Sequence, residues 1–188
     1  MTAIVRKERL VFFLDECHLL WGEALGYAWG PRGQRVELPI TNEQERQTYY
    51  GALNLLTGRA VTYPAEAGNS EQTVAFLKHV RQRFQGRPLG LVWDGASYHR
   101  SEAVRAYLRE VNGERSEEEW RIHCLQFAPH APEQNPREDV WLGAKTHVRK
   151  MWNVIKTFLD VNRYFTTFIE CHLFEFEKLN WYGRLHII

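Results

Sequence analysis

The sequence predicts an α/β domain with a mixed central sheet, an antiparallel meander continued by parallel strands, and helices packed against it. Three observations lead there. Two short, wholly apolar runs, Leu10–Leu14 and Leu89–Trp93, have the composition of strands buried on both faces. Between them lie two strand-turn-strand signals, and from Asn69 onward the apolar spacing turns helical and alternates with further strand-like runs. With 188 residues, 44% of them hydrophobic, the chain has the length of one domain and enough apolar surface for its core.

Taken in order, the first strand is Leu10-Val11-Phe12-Phe13-Leu14, ending in Asp15-Glu16. The stretch from Trp21 to Trp29 turns at Pro31-Arg32-Gly33 and continues through Leu38, a hairpin or irregular strand pair. Thr48–Leu56 and Arg59–Tyr63 flank the turn pair Thr57-Gly58. Asn69 or Ser70 caps a helix whose inner face is Val74, Leu77, Val80 and Phe84, and Gly86 and Pro88 end it. Leu89–Trp93 runs into Asp94, and Ser101 starts a helix with Val104, Tyr107, Leu108 and Val111 inward. Arg121–Phe127 is one more strand, followed by a proline-dense loop, Ala128–Pro136, and a long helical tail from about Arg137 to Leu179.

Bulk composition excludes several functions. With 24 Lys and Arg against 23 Asp and Glu, the chain is not a small module held on phosphates by net charge, so a nucleic-acid role has to rest on local charge or a metal. No apolar stretch is long enough for a membrane span and no signal-peptide pattern follows Met1, which predicts a cytoplasmic protein. Cys17, Cys124 and Cys171 stand far apart and outside any CxxC pair, a pattern of reduced thiols, not of a disulfide frame or zinc site.

Chemistry enters with three acids. Asp15 ends the first buried strand, Asp94 ends the strand after the first helix, and Glu138 opens a helix after the proline-rich loop. If the two strands are neighbours, their ends bring the aspartates to one edge of the core and Glu138 approaches from above. Two carboxylates about 4 Å apart repel by roughly 4 kcal/mol at an effective dielectric of 20, so such a cluster calls for a proton or a cation. Oxygen ligands with open positions suit Mg²⁺ or Mn²⁺. Singly, an Asp at a strand end is more often a turn or helix cap; it is the coincidence of three that points to a site.

The strings Phe13-Leu14-Asp15-Glu16, Val92-Trp93-Asp94-Gly95-Ala96-Ser97-Tyr98-His99-Arg100-Ser101 and Ala131-Pro132-Glu133-Gln134-Asn135-Pro136-Arg137-Glu138-Asp139-Val140-Trp141 resemble the three acidic blocks of the IS630/Tc1/mariner transposases. The resemblance covers nearly the whole chain, and Asn-Pro-x-Glu with a following Trp is its most specific part. It implies an RNase H-like DDE catalytic domain over residues 1–188, with Asp15, Asp94 and Glu138 as catalytic triad and metal ligands. It also implies two Mg²⁺ or Mn²⁺ ions serving an in-line displacement, first by water at transposon ends and then by the freed 3′-hydroxyl on target DNA, typically at TA. His99 matches a histidine common in the family, as a contact to the scissile phosphate, a ligand-positioning group, or a backbone-bonded helix-start residue. Asn135 and Asp139 are further accessory candidates, Asp139 as the alternative third ligand. The chain departs from the family at Gly95, where Asn is usual, and at Arg137, where an aliphatic residue is usual. Asp94 and Glu138 lie 44 positions apart, more than in eukaryotic members, the surplus falling in the acidic stretch Asn112–Glu119.

Local charge offsets the neutral total. Seven Lys and Arg against two acids lie between Lys78 and Arg109, and five against one between Lys145 and Arg163. Arg100, Lys145, Arg149 and Lys150 are the candidate contacts to double-stranded DNA. Trp93 and Trp141 wall the acids, and the aromatic tail (Phe158, Phe165, Phe168, Leu173, Phe174, Phe176) packs on the sheet or forms a homodimer face. Nine residues precede Leu10, so the N-terminal helix-turn-helix of full-length relatives is expected to be absent, supplied by a separate polypeptide or lost. Two other activities fit the same residues: an idle transposase remnant that binds DNA or dimerises, and an RNase H-like nuclease that cuts without joining.

Overall fold

A computed structural model of the chain describes residues 9–24, 32–33, 45–128 and 134–182. Its centre is a five-stranded sheet of β1 (Leu10–Leu20), β2 (Arg46–Asn54), β3 (Ala60–Ala65), β4 (Leu89–Trp93) and β5 (Ile122–Gln126), in the order β3-β2-β1-β4-β5. The first three strands form an antiparallel meander, and β4 and β5 run parallel to β1. Alternation along β1 feeds two cores. Phe12 and Leu14 pack with α1 (Ser70–Arg83) and α2 (Glu102–Asn112); Val11, Phe13, Cys17 and Leu19 pack with α3 (Pro136–Lys150), α4 (Phe158–Cys171) and α5 (Glu177–Trp181). This is the mixed sheet with flanking helices that the sequence predicts.

The helix starts follow from side-chain caps. Asn69 accepts the Gln72 amide at 2.9 Å and Ser101 the Val104 amide at 3.3 Å, while Thr157 and Asp160 form a reciprocal capping box. Two sequence expectations change. Asp15 does not end its strand: β1 continues to Leu20, because pairing with β2 runs on from Asp15↔Gly51 to Leu20↔Arg46 while buried Cys17 and Leu19 alternate with exposed His18 and Leu20. An all-apolar template misses that half-buried extension.

The long helical tail is three helices. The Thr157 capping box starts α4 afresh after α3, and beyond Cys171 the chain drops back to the β2–β3 turn, where Arg59 bridges Leu173 and the Phe174 amide donates to the Gly58 carbonyl at 2.9 Å. Phe165 and Phe174 are core, Phe158, Phe168 and Phe176 are partly buried against it, and Leu173 is half exposed. The predicted hairpin between Trp21 and Leu38 lies largely outside the described residues.

The acidic stretch after α2 is an exposed excursion with one short turn at Glu117–Glu119. Buried Asn112 closes it: its Nδ2 donates to the Ile122 carbonyl at 2.9 Å and its Oδ1 accepts the Ile122 amide at 3.0 Å, so β5 keeps its register whatever the excursion's length. Asn112→Ala should therefore destabilise the fold by roughly 1–3 kcal/mol in urea denaturation, since both Ile122 backbone groups lose their partner.

Candidate active site

Parallel pairing of β1 and β4 stops at Phe13↔Val92. Two residues beyond that pair, Asp15 continues along β1, and Asp94 directly follows the last residue of β4. The strand alternation turns Asp15 to the α3 side, with Phe13 and Cys17, and Glu16 to the opposite side, with Leu14.

Asp15 is held from above by α3. The Trp141 Nε1–H donates to its Oδ2 at 3.0 Å. Burial, and then the charge of Glu16, push the Asp15 carboxyl up to about 7, against the opposing pull of Arg137 and Trp141; Glu138 adds to the rise. This carboxylate lacks sufficient positive charge around it, which is the condition that favours a cation. Glu138 sits in the first turn of α3, exposed, one turn before Trp141 on the same helix face.

Arg137 is wholly buried beneath this group. Its guanidinium lies 3.8 Å over the Trp141 ring, and its three side-chain nitrogens have no hydrogen-bond acceptor among the described residues. It fits because β2 has a glycine directly across from Asp15: a Cβ at Gly51 would run into the guanidinium. Burial lowers its proton affinity and the charge of Asp15 resists that, leaving it cationic at neutral pH. The residue by which the chain departs from the family motif is thus a fixed counter-charge under the acids.

Asp94 is held from the other side. His99, in the short turn Ser97–Arg100, places Nδ1 3.0 Å from Asp94 Oδ1 and Nε2 3.0 Å from Glu16 Oε1. The Ala96 amide donates to the same Asp94 Oδ1 at 3.0 Å. Its bonds to His99 hold the Asp94 carboxyl below the ordinary carboxylate range. Burial opposes charge on His99, yet the bonds to Asp94 and Glu16 outweigh it and push the imidazole up to about 9. Protonated, both ring nitrogens donate to carboxylates.

The remaining candidates separate by what they touch. Asp139 pairs with Lys178 of α5 at 2.8 Å, and buried Asn135 caps α3 by accepting the Arg137 amide at 3.0 Å. Lys145 reaches the His18 carbonyl at 3.3 Å, beside β1, and Arg100 donates to the Gly95 carbonyl at 3.2 Å. Glu138, Lys145 and Arg149 follow one face of α3, with exposed Leu142 among them, and Lys150 is exposed at the helix end.

As the side chains stand, no three His, Cys, Asp or Glu among the described residues converge tightly enough to chelate a metal. The donor chemistry nevertheless fits a hard divalent cation. Among the hydrogen bonds described above, Asp15 has a donor on Oδ2 only and Asp94 has donors on Oδ1 only, so each keeps one oxygen available. The Glu138 carboxylate is exposed above them. Sequence reasoning missed Glu16, Gly51 and the counter-charge role of Arg137. The Asp15-Glu16 string gave a signal for the first only, since a second acid beside a buried one has to find a partner.

The model of a family described as DDE superfamily endonuclease matches residues 10–160. No curated protein matches the chain in sequence. Among solved structures, the chain is similar to the Mos1 transposase paired-end complex with left transposon end, with a TM-score of 0.56, 15% identity, and 97% of this chain covering 54% of that one. The catalytic domain of Mos1 mariner transposase gives 0.55 and 15%, covering 97% of this chain and 79% of that one. The catalytic core domain of BIV integrase gives 0.52 and 11%, covering 84% and 81%. At such identities the likeness shows the fold, and the chain spans about half the length of the paired-end transposase.

Two outcomes follow from the geometry. Gly51→Ala should destabilise the chain by roughly 2–4 kcal/mol by driving a buried guanidinium out of place, and Arg137→Leu in the same chain should recover part of that loss. Simple addition of the two single effects in urea denaturation would show that the residues are not coupled. The second concerns pH. Because burial raises Asp15 from about 3.8 to about 7, the folded chain keeps a proton that the unfolded chain has lost between those values, so in EDTA stability falls as pH rises through that window. Asp15→Asn should remove that fall and be more stable than the parent at pH 8, by roughly 2–4 kcal/mol, in melting curves recorded from pH 4 to 8.

Proposed function

The chain belongs to the DDE superfamily endonucleases and has the fold of the transposase and integrase catalytic cores; on that premise we propose that it cleaves transposon ends and joins the freed 3′-hydroxyl to target DNA. The observation that carries the reading is the position of Asp15 and Asp94 two residues beyond the last β1–β4 pair, with Glu138 exposed in the first turn of the helix whose Trp141 holds Asp15. Asp15, Asp94 and Glu138 are the residues that would hold Mg²⁺ or Mn²⁺. When bound, two such ions activate the attacking oxygen and stabilise the leaving oxygen of a phosphodiester.

The chain's own residues do the rest. Trp141 holds Asp15 with Arg137 as a counter-charge, and His99 with the Ala96 amide holds Asp94, so each aspartate is oriented by its own neighbours. No side-chain nucleophile is required, since water and a DNA 3′-hydroxyl serve in turn as the attacking group. Lys145, Arg149 and Lys150 extend from Glu138 along α3 and offer cations to phosphates next to the scissile one, and Arg100 lies at the other rim of the site. A double-stranded DNA substrate, TA as target and a separate end-recognising polypeptide are parts of the same proposal. The Mos1 neighbours support the DNA substrate, being solved with a transposon end and, in one case, with Mn.

The test is a joining assay with a duplex that bears a pre-cleaved 3′-end of the element's terminal repeat, a plasmid target and Mn²⁺. The expected result is joined product and its loss by at least about 100-fold in Asp94→Asn. Undiminished joining by that variant would overturn the triad. Cleavage of uncut ends without any joined product would make the chain a nuclease, and absence of both reactions, with the partner polypeptide present, would make it an idle module.

A further inference from the structure

We propose that Glu16 is a positioning residue for Asp94, acting through His99; this rests on the reading of Asp94 as a metal ligand given above. Glu16 is the carboxylate that neither the triad nor the DNA surface uses. Strand alternation turns it away from Asp15 to the α1–α2 side, where its side chain is 9% exposed. There its Oε1 lies 3.0 Å from His99 Nε2, and burial together with the Glu16 charge holds the neighbouring Tyr98 phenol well above its ordinary range. Packing sets the plane of the His99 ring, and the contacts at its two nitrogens set which way they point. It stacks on Trp93 at 4.5 Å with the planes 5° apart, meets Tyr98 edge-on at 4.7 Å, and is buried.

With Nε2 taken by Glu16, the opposite nitrogen, Nδ1, is aimed at Asp94 Oδ1 at 3.0 Å. The Ala96 amide donates to that same oxygen, so both of these donors lie on Oδ1 and neither engages Oδ2. Asp94 needs this support because its own side chain is 53% exposed and stands just past the end of β4, without a strand partner to hold it. Remove Glu16 and the buried Nε2 loses its partner, so nothing but packing holds the ring in the rotamer that aims Nδ1 at Asp94, and the Asp94 oxygen keeps the Ala96 amide as its other donor. Partners of this kind, one step behind a ligand, typically change metal affinity by about 10–100-fold.

The experiment measures Mn²⁺ binding directly, by the loss of the free-ion electron paramagnetic resonance signal on titrating the whole chain, alongside melting curves in EDTA. Wild type is expected to bind and Glu16→Ala to bind about 10-fold or more weakly. Glu16→Gln, which keeps an acceptor oxygen for His99, is expected to restore most of that loss. The Glu16→Ala,His99→Ala double variant should bind no more weakly than His99→Ala alone, since the effect passes through the ring.

Should Glu16→Ala not fold, Glu16→Asp decides, because the shorter side chain draws the carboxylate back from His99 Nε2: weaker Mn²⁺ binding than wild type supports the proposal and unchanged binding overturns it. A Glu16→Ala protein that binds Mn²⁺ as wild type does, or a double variant whose losses add, also overturns it. If wild type binds no Mn²⁺, the metal reading of the triad fails first and the role of Glu16 falls with it.

Discussion

Four carboxylates lie about the end of the β1–β4 pairing, on both faces of the sheet, and cations and hydrogen-bond donors offset their charge and partial burial. Asp15, Glu16, Asp94 and Glu138 come from two strands and one helix, and two fixed cations stand among them, the Arg137 guanidinium behind Asp15 and the His99 imidazolium between Glu16 and Asp94. The compensation is uneven. Asp94, with two donors on one oxygen, remains readily ionised; Asp15, with one indole N–H and an arginine that donates no hydrogen bond, does not. The site therefore has its charge deficit on β1, beneath Glu138, and a cation bound there would relieve it most.

The same constraint ties the antiparallel half of the sheet to the helix that carries the third acid. Gly51 faces Asp15 across the β1–β2 pairing, and its missing side chain is the space that Arg137 fills. Arg137 in turn stacks on Trp141, and Trp141 holds Asp15 and stacks on Phe165 of α4 at 5.7 Å. A strand position, a helix position and a core aromatic thus form one unit. An aliphatic residue at position 137 would fill the same space without a buried charge, so the arginine is a choice for electrostatics over stability.

Much of this was legible in the sequence because it depends on local pattern. The apolar run Leu89–Trp93 gave β4 to the residue, the helical spacing from Asn69 gave α1, and the three acidic strings pointed to Asp15, Asp94 and Glu138 as the candidate acids. What was not legible depends on register. That Asp15 lies mid-strand follows from pairing with β2 beyond the point where β4 stops, and a one-dimensional hydrophobic pattern holds no information about which partner strand is longer. The contact of Gly51 with Arg137 joins residues 86 positions apart whose only common feature is the register Asp15↔Gly51. The tail was read as a long helix because its apolar spacing persists, whereas the break is made by the Thr157–Asp160 capping box and by backbone bonds to the β2–β3 turn.

A net charge of +1 is compatible with binding a polyanion once the charges are placed. The acidic excursion after α2 is exposed at the N-terminal end of β5, at Glu117–Glu119, whereas Asp15 and Glu16 lie on β1 beyond its last pair with β4 and Asp94 lies just past the C-terminal end of β4. Beside the site, α3 carries Lys145 and Arg149 along the face begun by Glu138 and ends on Lys150. The acids at Glu117–Glu119 are thus set apart from the acids of the site, where Arg137 and His99 offset part of the charge. A DNA backbone approaching the strand ends would meet the basic flank of α3 rather than the chain's average charge, because at physiological salt charges more than about 8 Å away are largely screened.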